Sequence, residues 1–202
     1  MKRFFLLAAL VLIAGCGEAA SEKDPEPLPS PSEIMSHDLG PFFQVEMKMV
    51  DRLAAVVGSS PSDTWVRIVM EHHRGGVEIS QMVLDQEPPS AVAAMARATI
   101  GRLSPEIDEL RGWVRNGSPS EESALIYRPT IERMHNAMMS AEGANASDTW
   151  LRKMLEHHRG AVALCDVLLA QEDVPAGVQR LTEELRRKEL GEIAALERLL
   201  PA

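Results

Sequence analysis

The chain has 202 residues, with 30 acidic against 21 basic side chains and a formal charge of −9. Such an acidic balance argues against a nucleic-acid partner, whose phosphates demand a basic face. Two cysteines, Cys16 and Cys165, are too few for a disulfide framework, whereas 11 methionines are present.

The first element expected is a secretory signal over residues 1–15. Lys2 and Arg3 give a basic start, Phe4 to Ile13 form an apolar run, and the small residues Ala14 and Gly15 precede Cys16. The run is too short for a membrane-spanning helix. "LIAGC" (Leu12 to Cys16) resembles the bacterial lipobox, whose cysteine is acylated and becomes the new N-terminus. Residues 16–33, rich in Pro, Glu and Ser, read as an extended solvated tether. A lipidated Cys16 carrying several acyl chains would hold the protein at a membrane where one chain would not. Gly17, rather than Asp, after the cysteine suggests sorting to the outer membrane, facing the periplasm. Cys165 would then have no intrachain partner.

Residues 34–202 contain one unit written twice, in halves of about 34–117 and 118–202. "SDTWVRIVMEHHRGGVEISQMVLDQE" (Ser62 to Glu87) aligns with "SDTWLRKMLEHHRGAVALCDVLLAQE" (Ser147 to Glu172) at an offset of 85. The offset then becomes 86, pairing Pro89 with Pro175, Glu106-Ile107 with Glu192-Ile193 and Leu110 with Leu196. Upstream, Phe42 falls on Tyr127 and Met49 on Met134. Two copies are too few for a solenoid.

In chain order, the spacing predicts a short leading helix from about Phe42 to Val57, then a long one capped by Ser62-Asp63. Trp65, Ile68, Val69, His72, Gly76, Ile79 and Val83 trace one face of that helix at three- and four-residue spacing. At ~1.5 Å per residue it would run on the order of 35 Å. Pro88-Pro89 stop it, and a third helix follows with a stripe of Val92, Met95, Ala96, Thr99, Leu103, Ile107, Leu110 and Trp113. Ser104-Pro105 is expected to kink that helix. The second half repeats the plan: a leading helix from about Ser123 to Ala141, a long helix capped by Ser147-Asp148, Pro175, and a last helix. The expected fold is all-α: a four-helix bundle with pseudo-two-fold symmetry, flanked by the shorter helices.

The repeated "EHHRG" carries the candidate chemistry. Neighbouring helical residues point ~100° apart, so His72 and His73, like His157 and His158, cannot easily grip one ion side by side. One of each pair should face the interior and the other a partner helix or the rim. Pseudo-symmetry should bring the two pairs together at mid-bundle. Met70 stands three residues before His73, Met154 three before His157, and "MHNAMM" sets His135 beside Met138 and Met139 at helical spacing. Imidazole with thioether favours copper, especially the reduced ion. Against this stands a plain structural reading, with methionines as core filler and histidines as buried polar ties. Glu71 and Glu156 could orient the histidines or be solvated charges. A di-iron oxidase would need Glu-x-x-His in both halves, but only Glu132/His135 has that spacing, its first-half equivalents being Met47 and Val50. There is no G-x-S-x-G, H-E-x-x-H or phosphate-cradling glycine loop, so an enzyme is the weakest expectation.

The doubled motif resembles the bacterial secreted family called domain of unknown function 305, with its Met-x-x-His-His-x-Gly-Ala signature and a following helix ending in Glu-Ile. "MLEHHRGA" (Met154 to Ala161) fits the signature, and "VMEHHRGG" (Val69 to Gly76) fits with Met70 shifted by one. "PEIDEL" (Pro105 to Leu110) and "GEIAAL" (Gly191 to Leu196) fit the Glu-Ile end. The resemblance covers about Ile34 to Leu200 and implies a ferritin-like bundle; some members look like periplasmic copper-binding proteins. It implies His72, His73, His157 and His158 as ligands, followed by Met154, His135, Met138 and Met139. The chain departs from the pattern at Ile79 and Leu164, where a methionine is expected, and at Leu103 and Glu189, where a glutamine is expected. The resulting expectation is a lipid-anchored envelope protein that binds or buffers a soft metal, most readily copper. The alternative is a non-metallated structural or interaction module.

Overall fold

A computed structural model describes residues 40–200; the expected signal, Cys16 and the tether lie outside them. Seven helices and no strand are found among the described residues: α1 Phe43–Ala54, α2 Pro61–Leu84, α3 Ser90–Arg111, α4 Glu121–Leu125, α5 Arg128–Ser140, α6 Ala146–Leu169 and α7 Ala176–Glu197. None of these helices is long and apolar enough to cross a membrane. The duplication shows in the lengths, since α2 and α6 have 24 residues each and α3 and α7 have 22 each.

The long helices begin two residues earlier than Ser62 and Ser147 imply. Ser60 caps α2, its hydroxyl accepting from the Asp63 amide at 3.2 Å, and Asn145 caps α6, accepting from the Asp148 amide at 3.0 Å. Asp63 and Asp148 serve inside the first turn and reach back: Asp63 accepts from the Ser59 amide at 2.9 Å and Asp148 from the Ala144 amide at 3.0 Å. Each cap thus satisfies orphan donors from both sides. Pro89 and Pro175 stand immediately before α3 and α7, as the prolines imply. The turns before them contain Glu87 and Asp173 in the left-handed region, with φ of 50° and 59°. These two residues are 86 apart, which places the one-residue shift in the repeat offset within the second turn. The second leading helix is split: α4 ends before Tyr127, and Pro129 opens α5, where its missing N–H costs nothing. The α3 helix runs through Pro105 to Arg111.

Packing follows the two stripes. The α2 helix lies against α3, α6 against α7, and α2 against α6, while α1 and α5 flank α2 and α6 and touch each other. The α2 and α6 helices run antiparallel: His72 meets His157 at the midpoint, and Trp65 near the start of α2 lies beside Cys165 near the end of α6. Tyr127 donates to the Pro61 carbonyl at 2.9 Å, closing that end. Trp65 and Trp150 are fully buried. Each contributes on the order of 4–6 kcal/mol of apolar transfer as an upper bound. The glycine after each HHR lets a flanking helix close in. A Cβ at Gly75 would lie 2.2 Å from the Met49 sulfur, and one at Gly160 would lie 2.3 Å from the Met134 sulfur.

Candidate metal centre

All four repeated histidines are buried, with exposures of 0–1%. The first of each pair faces the α2–α6 seam, where the His72 and His157 rings stack with centroids 3.7 Å apart and planes 8° from parallel. The ~100° step turns the second of each pair toward the neighbouring helix. There His73 Nε2 lies 3.2 Å from Glu106 Oε2 of α3, and His158 Nδ1 lies 2.5 Å from Glu189 Oε2 of α7. Ligand atoms of His73, Glu106 and Glu189 all fall within 4.8 Å of one another. One compact centre therefore draws on all four long helices.

Two cations close it on the carboxylate side. Arg102 Nη1 is 3.0 Å from Glu106 and 3.2 Å from Glu189, and its Nε is 3.3 Å from Glu192. Lys188 Nζ is 3.0 Å from Glu106 and 3.3 Å from Glu184. Burial works to raise both inner carboxyl groups, but the surrounding charges prevail. His158 and Arg102 hold Glu189 far below the usual carboxylate range, while His73 and Arg102 hold Glu106 lower than usual. His72 is pushed down to about 3, first by burial and then by its neighbour His73. Burial, with His72 beside it, likewise drives His157 well below the ordinary value. The stacked pair is therefore neutral at physiological pH. Both ring nitrogens of His72 and His157, Nδ1 of His73 and Nε2 of His158 lack a hydrogen-bond partner among the described residues, while His73 Nε2 has only the Glu106 carboxylate beside it. Such groups ordinarily find partners when buried, so each asks for an explanation.

The remaining sequence candidates are Met70, Met154, His135, Met138 and Met139. Met70 is half-buried in a surface groove with Val56, Val57 and Val114. Met154 and Met138 are fully buried core residues, and His135 and Met139 are half-buried. His135 titrates low through burial and the nearby charge of Lys153, which itself donates to the Met138 carbonyl at 2.8 Å. Lys153 also pairs with the buried Glu46 at 3.1 Å and with Glu142 at 3.0 Å. This sets the Met138 carbonyl and His135 beside a buried ion pair. Cys165 is buried, and burial pushes its thiol well above the ordinary value. Glu71 and Glu156 do not orient the histidines: Glu71 bonds Arg52 and Arg74, and Glu156 bonds Arg159.

Sequence reasoning missed the partners Glu106 and Glu189. It placed Ile107 on the buried stripe of α3, but Glu106 is buried and Ile107 only half-buried. The usable signal was there: Thr99, Leu103, Glu106 and Leu110 make one helical stripe, as do Thr182, Leu185, Glu189 and Leu196. A carboxylate on an apolar stripe is far more informative than an exposed one.

The family model described as Domain of unknown function (DUF305) matches residues 62–200. A solved structure, the crystal structure of a DUF305 fragment from Deinococcus radiodurans, is 21% identical. The match covers 71% of this chain and 97% of that one with a TM-score of 0.52, a likeness of fold. No curated protein matches the chain.

Proposed function

This chain belongs to the DUF305 family, and from that premise we propose that it binds a transition-metal ion at the centre of its bundle. The observation that carries the reading is the convergence of four buried histidines, most of their ring nitrogens without partners, on two buried carboxylates. His73, Glu106 and Glu189 would hold the ion, with His158 beside them and the His72–His157 stack behind. Imidazole and carboxylate donors suit a borderline divalent ion, and among first-row metals the affinity order peaks at Cu²⁺. Copper is therefore the metal proposed, and donors of imidazole and carboxylate suit its divalent state. Bound there, copper would be sequestered, which fits a buffering role. On the "LIAGC" stretch we further propose that the chain is anchored through a lipidated Cys16 and faces the periplasm.

Metal counted after Cu²⁺ loading and exhaustive dialysis tests the centre. The wild-type chain should retain copper, and His73→Ala and Glu189→Gln should lose most of it. A chain that retains none, or variants with unaltered stoichiometry, would sink the reading. Fractionation tests the anchor: Cys16→Ser should leave the membrane fraction, and its staying there would refute lipidation at that residue.

A second reading has its own support. Arg102 and Lys188 already balance the charges of Glu106 and Glu189, as a purely structural polar core would require. That module would melt at the same temperature with copper as with a chelator, whereas an ion bound to the native state alone raises the melting point.

A further inference from the structure

We propose that Arg102 and Lys188 are resident counter-ions that compete with an incoming metal ion for Glu106 and Glu189, and so set how tightly the centre binds it. The inference rests on the metal reading above and concerns its regulation. The two cations are 86 residues apart, the same register of the last helix in each half. Each crosses to the other half's carboxylate: Arg102 of α3 reaches Glu189 of α7, and Lys188 of α7 reaches Glu106 of α3. The carboxylate side chains are 1% and 9% exposed and have nowhere to go. The cations are 19% and 39% exposed and stand on the solvent side. Each also touches a carboxylate farther out, Arg102 at Glu192 (23% exposed) and Lys188 at Glu184 (55% exposed). A side chain displaced from the centre thus keeps an anion within reach.

The physical logic is substitution of one positive charge by another. Buried carboxylates need a counter-ion to remain ionised. Without metal the guanidinium and ammonium supply it. An ion entering beside His73 takes over that role, and a cation left a few ångströms away then opposes it with an energy that low surrounding polarity magnifies. Removing the resident cation should weaken the metal-free fold and strengthen metal binding.

The test uses the full chain, with Cu²⁺ and Zn²⁺ each titrated against a chromogenic chelator, and the melting temperature read in chelating buffer. Arg102→Gln should bind at least about tenfold tighter than wild type and melt lower without metal. Lys188→Gln should shift both quantities in the same directions by less, and its greater exposure lets it carry the test should Arg102→Gln fail to fold. Arg111→Gln, an equal charge change at an exposed residue paired with Asp108, should leave affinity unchanged. If wild type binds metal and Arg102→Gln and Lys188→Gln bind equally or more weakly, the competition is refuted while the metal centre stands. If none of the chains binds metal, the centre itself is refuted and this inference falls with it.

Discussion

The two halves of the molecule share a backbone plan and differ in what they bury. The stacked histidines are alike in both. Their carboxylate partners are not: His73 meets Glu106, at the Glu-Ile position, whereas His158 meets Glu189, one helical turn earlier. The repeat mates of those two glutamates are Glu192, half-buried beside Arg102, and Leu103, fully buried. A second asymmetry lies on the α1–α5 side. Lys153 and Glu46 form a buried ion pair where the repeat register puts Ile68 and Ile131, both buried. The two halves share the scaffold and distribute the interior charge unequally. The centre is thus assembled from two different halves rather than one half used twice.

The largest effect should come from the ion pair. Lys153→Ile strands the Glu46 carboxylate, which burial already pushes upward and Lys153 opposes, and should cost about 3–5 kcal/mol in urea unfolding. Adding Glu46→Ile rebuilds the apolar pair of the other half and should recover most of that loss. A double variant as unstable as the single one would show that the halves are not interchangeable there.

Acid should reveal the part the halves share. His72 titrates near 3 in the native state against 6.5 ordinarily, and His157 is likewise depressed. The unfolded chain therefore takes up protons first as pH falls. Stability is complete above pH 6.5 and declines toward 3, by about 3 kcal/mol at pH 4 for His72, with His157 adding to the loss in the same direction. Glu106 and Glu189, also depressed, add to the loss only once pH passes below their ordinary 4.5. Unfolding in chelating buffer at pH 7, 5.5 and 4 measures this. His72→Gln and His157→Gln should flatten the limb between pH 6.5 and 4.5 equally, and unequal flattening would extend the asymmetry to the stack.

The smallest effect separates the carboxylates. Glu189→Gln removes a charge-assisted bond and should cost about 1.5–3 kcal/mol without metal. Glu192→Gln, on the half-exposed rim, should stay within about 0.5 kcal/mol. Similar losses in thermal unfolding would erase the distinction drawn between the halves.

Read alone, the sequence determined the helices, the duplication and the meeting of the histidine pairs. Those depend on period, proline placement and a repeated string, which are local. Every residue of the stripe read for α2 is buried because that stripe is mostly apolar, although Val66, His73, Gly75 and Ser80 are buried beside it. What only the tertiary structure decided is which charged residues come inside. Glu106, Glu189, Glu46 and Lys153 look like solvated helix residues until a partner from a distant segment, as far as 107 positions away for Lys153 and Glu46, supplies the opposite charge. A buried charge is tolerated only with such a partner, and the pairing is a property of packed helices that no single helical stripe encodes.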